Sequence, residues 1–242
     1  MFSFTPETPI GQVVAERPSA SQLFERLGVD YCCGGDRSLR AACARQGLEA
    51  QTVLRMLEAE GDRADPVAPE SSQRDWTTAP LGTLIDHIVD THHAYLRREL
   101  PRLAELAEKV AHVHGTQAPW MVSVKDVFED LKPHMETHIE KEEKIVFPFI
   151  RESTEGEVAP VPEAFDENPI ALMEEEHDET GAALKRIRAL SHDFTMPEWG
   201  CNSFRALLDG LEQLEADTHE HVHKENSILF SRARKRIGTP TG

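Results

Sequence analysis

Two segments of the chain repeat one pattern of residue types that bind metal ions. The first, HIEKEEKIVFP, begins at His138, and the second, HVHKENSILFS, begins at His221; His, Lys, Glu, Ile and Phe match at equal offsets. In each segment a glutamate follows the first histidine by four residues, at Glu142 and Glu225. Because residues four apart share one face of a helix, each histidine and its glutamate can bind the same ion.

Both His–Glu pairs lie within the apolar stripes of their helices. Leu131 and Ile145 stand seven residues before and after the first histidine, and Leu214 and Ile228 flank the second in the same way. A single pair of this kind is more often a surface ion pair. A glutamate in a stripe that faces the core is costly unless something pairs with it. Two matching pairs therefore predict a buried metal site.

Two further histidines occupy corresponding places on the other two helices. His177 precedes His221 by 44 residues, and His93 precedes His138 by 45. Both lie on apolar stripes, so the chain has the form of two related helix pairs, each giving His and then His-x-x-x-Glu. This spacing favours His93 over its neighbours. We expect the other histidines to be exposed or peripheral: His112, His114, His192, His219 and His223.

Residues near these ligands are candidates for orienting them. A metal-bound histidine usually donates a hydrogen bond to a neighbouring group from the ring nitrogen that does not bind the metal. His134 lies one turn before His138 on the same face, and is either an extra ligand or part of a channel to the site. The sequence alone does not rank the remaining candidates: Tyr95, Glu174, Glu175, Glu176 and Asp178.

Four imidazoles and two carboxylates are too many ligands for one tetrahedral ion. They suit two metal ions bridged by carboxylates and by oxo or hydroxo groups in the core of a helical bundle. Mixed nitrogen and oxygen ligation without thiolate favours iron or manganese over structural zinc. Six protein ligands leave positions open on two six-coordinate ions, which predicts chemistry or the binding of a small ligand.

A second candidate site is the loop that carries Cys32 and Cys33 between Tyr31 and two glycines. Adjacent Cα atoms lie about 3.8 Å apart, below the usual disulfide range of about 4.4–6.8 Å. A bond between the two sulfurs would be strained and easily reduced. The loop leads into a helix N-terminus, where we expect the dipole to favour thiolate. The loop is therefore a candidate for redox, metal or sulfur handling; the alternative is two small apolar residues that close a turn.

The chain as a whole predicts an all-α protein with two domains. Residues 1–60 contain short helices, one of them capped by Ser19, and residues 61–80 have the composition of a linker. An up-and-down four-helix bundle is expected over residues 81–236. Its helices are expected at about 81–113, 120–151, 167–192 and 198–235. Three prolines are expected to kink or break these helices: Pro101, Pro133 and Pro148.

Composition limits the classes of partner. The 242 residues carry a net charge of −17, which opposes binding to nucleic acid. The N-terminus lacks the features of a signal peptide, and no apolar run is long enough for a membrane span. The four cysteines show neither CxxC spacing nor a disulfide framework, so a reducing cytoplasm is the expected compartment.

The segment DYCCGG at residues 30–35, followed by a linker and two His-x-x-x-Glu helices that end in Ile-x-Phe, resembles the RIC (repair of iron centres) family. The resemblance covers nearly the whole chain and implies a hemerythrin-like bundle with a non-haem di-iron centre. It implies terminal ligands at His93, His138, His177 and His221, and bridging carboxylates at Glu142 and Glu225. Glu176 matches a carboxylate near the metal in that family. Ser231 and His134 depart from the family pattern.

The resemblance also implies the function: repair of iron–sulfur clusters damaged by nitric oxide or oxidants. The protein would supply iron, bind nitric oxide at the di-iron centre, or both, with damaged iron–sulfur proteins as clients. Two alternatives stay open on the sequence: a nitric oxide-binding or nitric oxide-reducing di-iron protein, and a dioxygen-binding hemerythrin-like sensor. The sequence does not decide between binding and enzymatic turnover, or between a monomer and a homodimer.

Overall fold

The structure, a computed structural model, describes residues 4–61, 74–154 and 169–237. Within these ranges the regular secondary structure is helical, with one isolated β-bridge between Pro9 and Ser38. The prediction of an all-α fold with a hemerythrin-like bundle is therefore confirmed. Most of the expected linker and the loop between the second and third long helices lie outside the described residues. In the described part of the chain, no helix is both long and apolar enough to cross a membrane.

Four short helices open the chain. Ser38 caps the third helix, because its side chain accepts a hydrogen bond from the backbone N–H of Ala41. Ser19 precedes the second helix but makes no capping hydrogen bond, so the expected cap at Ser19 is wrong. These helices are α1 (Ile10–Glu16), α2 (Ala20–Arg26), α3 (Leu39–Arg45) and α4 (Ala50–Gly61).

The long helices follow, and three of them contain a short π-helical segment. They begin and end within a few residues of the ranges expected from the sequence. The elements are α5 (Leu81–Ile88), π1 (Val89–His93), α6 (Ala94–His114), α7 (Trp120–Lys141), π2 (Glu142–Val146), α8 (Phe147–Thr154), α9 (Pro169–Leu190), α10 (Asn202–His223), π3 (Lys224–Phe230) and α11 (Ser231–Ile237).

Each proline was expected to kink or break its helix, and two of the prolines do not break theirs. Helix α6 continues through Pro101, and α7 continues through Pro133. Pro148 is the second residue of α8, and Phe147 separates it from the end of the π2 segment. The equivalent place in the second repeat, after π3, is Ser231. A π-helical segment therefore forms at this place with or without the proline.

By compactness the chain divides into two units. One comprises Met1–Leu84 and Glu220–Gly242, and the other Ile85–His219. The first has its own apolar core, in which helices α1 to α4 bury side chains such as Ile10, Phe24 and Leu57. Because of this apolar core, the short helices can hold the loop that carries Cys32 and Cys33 in place without a disulfide.

The second unit has a larger core built from the amphipathic faces of its long helices. Helices α6 and α7 pack together, and α7 also packs on α9. The buried stripes predicted from the sequence meet in this core, with side chains from four helices, among them Leu100, Phe128, Ile187 and Leu211. Because the candidate ligands continue the same stripes, the packing of this core positions them.

Candidate metal centre

Each π-helical segment contains one of the predicted ligands. His93 is the last residue of π1, Glu142 is the first of π2, and Glu225 is the second of π3. A π-helical turn changes the direction in which the following side chains point, and such turns are frequent at functional sites. The three π-helical segments thus coincide with candidate ligand positions in the long helices.

Within the second unit, His138, Glu142 and His177 come together. The Nε2 atom of His138 lies 3.0 Å from Nε2 of His177 and 3.4 Å from Oε1 of Glu142. Each residue offers one ligand atom, and these atoms lie within 4.8 Å of one another. All three side chains are buried. The arrangement is suited to one cation held by two imidazoles and a carboxylate.

The other oxygen of Glu142 faces a third histidine. Its Oε2 lies 3.2 Å from Nε2 of His93, while its Oε1 faces His138 and His177. Both His93 and Glu142 are fully buried. A carboxylate with histidines at both oxygens has the arrangement of a bridge between two ions, which is how carboxylates act in di-iron helical bundles.

A carboxylate holds the outer nitrogen of His93. Nδ1 of His93 lies 2.7 Å from Oε1 of Glu143, and Arg97 donates to Oε2 of the same carboxylate at 2.7 Å. Burial opposes the ionisation of Glu143, but the hydrogen bonds from Arg97 and His93 outweigh it and lower the pKa of Glu143. Sequence reasoning missed Glu143, although it stands directly beside the candidate ligand Glu142.

The same arrangement recurs at His138. Its Nδ1 lies 2.7 Å from Oε2 of Glu176, and Lys141 donates to Oε1 of Glu176 at 2.5 Å. Burial opposes ionisation here as well, yet the hydrogen bonds from His138 and Lys141 lower the pKa of Glu176 to about 2. Glu176 was among the sequence candidates. An ionised carboxylate on Nδ1 leaves Nε2 as the nitrogen available to a metal.

The second His–Glu pair lies in the first unit. Nε2 of His221 is 3.0 Å from Oε1 of Glu225, and both side chains are buried. The corresponding distance in the first repeat, from His138 to Glu142, is 3.4 Å. The repeat seen in the sequence is therefore also a repeat in local geometry.

Other histidines differ in their surroundings. The ring of His134 lies 3.9 Å from a carboxylate oxygen of Glu179, and no cluster found among the described residues includes it. His223 was expected to be exposed or peripheral; it belongs to none of the ligand clusters in the described part of the chain, but it is not exposed. It is buried against the ring of Tyr31, and burial lowers its pKa to about 4.

The loop with two cysteines is folded around Asp30. Cys32 is buried and Cys33 is partly exposed. The sulfurs lie 3.7 Å apart, and the Cys32 thiol faces Oδ1 of Asp30 at 3.4 Å. The hydrogen bond to Cys33, burial and the nearby Asp30 raise the pKa of Cys32. The expected preference for thiolate at a helix N-terminus is therefore wrong, because α3 begins only at Leu39.

The candidate ligands found among the buried histidines and glutamates, called the His–Glu set below, have donor atoms that fit iron. The set consists of imidazole nitrogens and carboxylate oxygens without a sulfur atom, in a buried environment. Such ligands suit iron and manganese, whereas structural zinc sites are usually completed by thiolates.

Comparison with known proteins identifies the family to which the chain belongs. Residues 84–233 match the family model described as "Hemerythrin HHE cation binding domain". The chain belongs to the hemerythrin HHE family. Residues 6–60 match a second model, ScdA_N, described as "Domain of Unknown function (DUF542)". The combination of both domains confirms the resemblance to the RIC family.

Relatives named as iron-sulfur cluster repair proteins match nearly the whole chain. The chain is 34% identical to the iron-sulfur cluster repair protein YtfE of Escherichia coli O157:H7, over 94% of this chain and 96% of the relative. The proteins of the same name from Citrobacter koseri and Escherichia fergusonii are 33% and 34% identical over the same shares. The region that matches the hemerythrin family thus contains buried histidines and glutamates that could hold a metal ion.

Proposed function

We propose that this protein holds two iron ions and takes part in the repair of iron–sulfur clusters damaged by nitric oxide or oxidants. The observation that carries the proposal is the position of Glu142, whose two oxygens face His93 on one side and His138 and His177 on the other. One carboxylate placed between histidines in this way suits a pair of ions better than a single ion.

The proposed ligand set has six members. The second pair, His221 and Glu225, repeats the spacing and the local geometry of His138 and Glu142. All six residues also lie inside the region that matches the hemerythrin family. We assign the histidines as terminal ligands and the glutamates as bridging carboxylates: His93, His138, His177, His221, Glu142 and Glu225.

The chain's own residues prepare the site for iron. Glu143 and Glu176 fix the ring orientation of His93 and His138, and burial keeps bulk water away from the ligands. When bound, the iron pair supplies labile iron and open coordination positions for a small ligand such as nitric oxide. His134, at the edge of this set, is kept as a candidate for a proton path.

The repair function itself is supported by the relatives. They are named as iron-sulfur cluster repair proteins, and the similarity covers both the ScdA_N domain and the hemerythrin domain. We therefore propose damaged iron–sulfur proteins as clients, nitric oxide as a small ligand, and the cytoplasm as the compartment. The domain limits expected from the sequence, 1–60, 61–80 and 81–236, are kept as part of this proposal.

Iron transfer to an apo-cluster protein tests the proposal. The iron-loaded chain is mixed anaerobically with an apo iron–sulfur acceptor, sulfide and a thiol reductant, and cluster formation is followed by absorbance. We expect transfer by the unchanged chain and by His112→Ala, whose side chain is exposed. We expect His138→Ala to transfer little iron. Equal transfer by all three proteins would contradict the assignment.

The same preparation separates the alternatives. Sustained production of nitrous oxide beyond one equivalent per centre would identify a nitric oxide reductase. A stable adduct on exposure of the reduced protein to oxygen would identify a dioxygen-binding protein. Iron transfer without either result is the outcome that the repair proposal predicts.

A further inference from the structure

The loop with Cys32 and Cys33 brings three possible metal ligands together, apart from the His–Glu set. Asp30, Cys32 and Cys33 each offer one ligand atom, and these atoms lie within 4.8 Å of one another. We propose that they form a second cation site, which binds one divalent transition-metal ion through two thiolates and a carboxylate.

The distance between the sulfurs matches binding to a common ion. Two sulfurs on one tetrahedral ion, at a metal–sulfur distance of about 2.3 Å, are about 3.8 Å apart. The sulfurs of Cys32 and Cys33 are 3.7 Å apart. A disulfide would need a separation of about 2.05 Å and Cα atoms farther apart than adjacent residues allow. The loop therefore holds the pair at a spacing that suits a metal ion and not an ordinary disulfide.

Asp30 supplies the third donor at a matching distance. A sulfur and a carboxylate oxygen on one tetrahedral ion are about 3.6 Å apart. Oδ1 of Asp30 lies 3.4 Å from the sulfur of Cys32. The backbone N–H groups of Cys33 and Gly34 donate to the same oxygen at 3.1 and 3.3 Å. These hydrogen bonds hold the carboxylate beside the sulfurs before any ion arrives.

The loop is also anchored to the segment that carries Glu225. Within the first unit, the side-chain amide of Asn226 donates to the carbonyl oxygen of Cys32 at 3.4 Å. A Cβ atom at Gly35 would lie 2.7 Å from Oγ of Ser227 and 3.0 Å from the carbonyl oxygen of Tyr31, so a larger residue would require one of them to shift. Asn226 and Ser227 directly follow Glu225 in π3. The proposed cation site is thus built onto the backbone that presents a proposed iron ligand.

The two thiols and the carboxylate determine which ions the proposed site can bind and how their affinity depends on pH. Binding of a divalent ion releases one proton from each thiol to solvent, so the affinity for the ion increases with pH. Cys33 and Asp30 are partly exposed, which gives an ion access to the loop. Mixed sulfur and oxygen donors suit iron(II), cobalt(II) or zinc(II). The identification of the natural ion as iron rests on the proposed repair function, whereas the existence of the site does not.

Cobalt(II) titration of the full chain under anaerobic conditions tests the site, because cobalt–thiolate bonds absorb strongly in the near ultraviolet. We expect about three ions per chain and a sulfur-to-cobalt charge-transfer band. Cys32→Ser and Cys33→Ser should each lose the band and one ion. Asp30→Asn should keep the band but bind this ion about tenfold more weakly.

Control variants show whether the charge-transfer band belongs to the proposed site in this loop. Cys201→Ser removes an exposed thiol in the other unit, and Asp36→Asn changes an exposed carboxylate of the same loop; both should keep the band. His221→Ala should lose ions from the His–Glu set and keep the band, so failure of the thiolate site and failure of the proposed iron centre give different results.

A second measurement uses only the unchanged chain, so it does not depend on whether a variant folds. In the unchanged chain, zinc(II) should protect Cys32 and Cys33 together from alkylation, as read by peptide mass spectrometry, while Cys201 stays reactive. A titration without the thiolate band, or alkylation of Cys33 unaffected by zinc, would overturn the proposal.

Discussion

Nδ1 of His93 lies 2.7 Å from Oε1 of Glu143. The opposite nitrogen of the same ring faces Glu142, so one histidine links a peripheral carboxylate to a buried one. Because Glu143 accepts a hydrogen bond from the Nδ1–H group, the lone pair of the ring is left on Nε2, toward the proposed iron. His138 and Glu176 repeat this relationship. The orientation of the ligands therefore depends on two acidic residues that do not face the proposed metal themselves.

Glu143→Gln and Glu176→Gln should each weaken metal binding by about 10- to 100-fold, as is usual when the carboxylate partner of a ligating histidine is changed. The substitution keeps the side-chain shape and removes the charge that fixes the ring. Competition with a chelator of known affinity measures the effect. Glu140→Gln changes an exposed carboxylate on the same helix and serves as control. Equal affinity in all three variants would contradict the orienting role.

Metal loading should stabilise the folded chain. A ligand at 100 times its dissociation constant adds about 2.7 kcal/mol to the free energy of unfolding, provided that the unfolded chain does not bind it. Thermal unfolding of the apo and iron(II)-loaded proteins measures this as a rise in Tm. We expect the rise in the unchanged chain and in His134→Gln, and a much smaller rise in His177→Ala. A rise of equal size in His177→Ala would show that iron binds elsewhere.

Arg188→Met should destabilise the second unit by about 2–3 kcal/mol, because it leaves the buried carboxylate of Glu215 without its cation. Arg188 donates to Oε2 of Glu215 through Nε at 2.7 Å and through Nη2 at 2.5 Å. Urea unfolding gives the free energy. Arg186→Met, at an exposed position of the same helix, is the control and should change stability by less than about 0.5 kcal/mol.

Three consecutive residues after helix α9 have left-handed backbone conformations: His192, Asp193 and Phe194, with φ of 53°, 55° and 53°. A β-branched side chain is strongly disfavoured in this region. Asp193→Val should therefore lower the free energy of unfolding by more than about 1 kcal/mol, whereas Asp193→Gly should be tolerated. Paired urea unfolding curves make the comparison. Equal stability of the two variants would mean that the turn does not keep this conformation in solution.

The thiols outside the loop should differ in reactivity. Cys43 is buried and Cys201 is exposed, and burial raises the pKa of Cys43. A reagent that needs thiolate should alkylate Cys201 in the folded protein and Cys43 only after unfolding. Mass spectrometry of peptides from native and denatured samples measures both. Alkylation of Cys43 at the same rate as Cys201 in the native protein would contradict its place in the core of the first unit.

The sequence predicted those parts of the site that follow helical periodicity. The candidate ligands continue apolar stripes, so their burial follows from the pattern, and the repeat aligned His138 with His221. The π-helical segments were not predicted, because a one-residue change in hydrogen-bond register leaves the composition unaltered. Pro148 suggested a disturbance near π2, but π3 forms with Ser231 at the same place.

Features that depend on tertiary contacts were missed. Glu143 stands beside Glu142, and a regular α-helix would point adjacent side chains in different directions, so no sequence pattern paired Glu143 with His93. His223 was expected near the surface because no pattern relates it to Tyr31, which is far away in the chain. The expected thiolate at Cys32 was also mistaken, since the hydrogen bond to Cys33, burial and the nearby Asp30 raise the pKa of this thiol.

Metal content per chain is the most direct test of the central claim. The protein is purified anaerobically from iron-supplied cells and measured by inductively coupled plasma mass spectrometry, after the Cys32 and Cys33 site has been removed by substitution to serine. The account predicts about two irons per chain, as in di-iron helical bundles, and a loss of iron in His93→Ala. One zinc ion, or no metal, in the unchanged His–Glu set would contradict it.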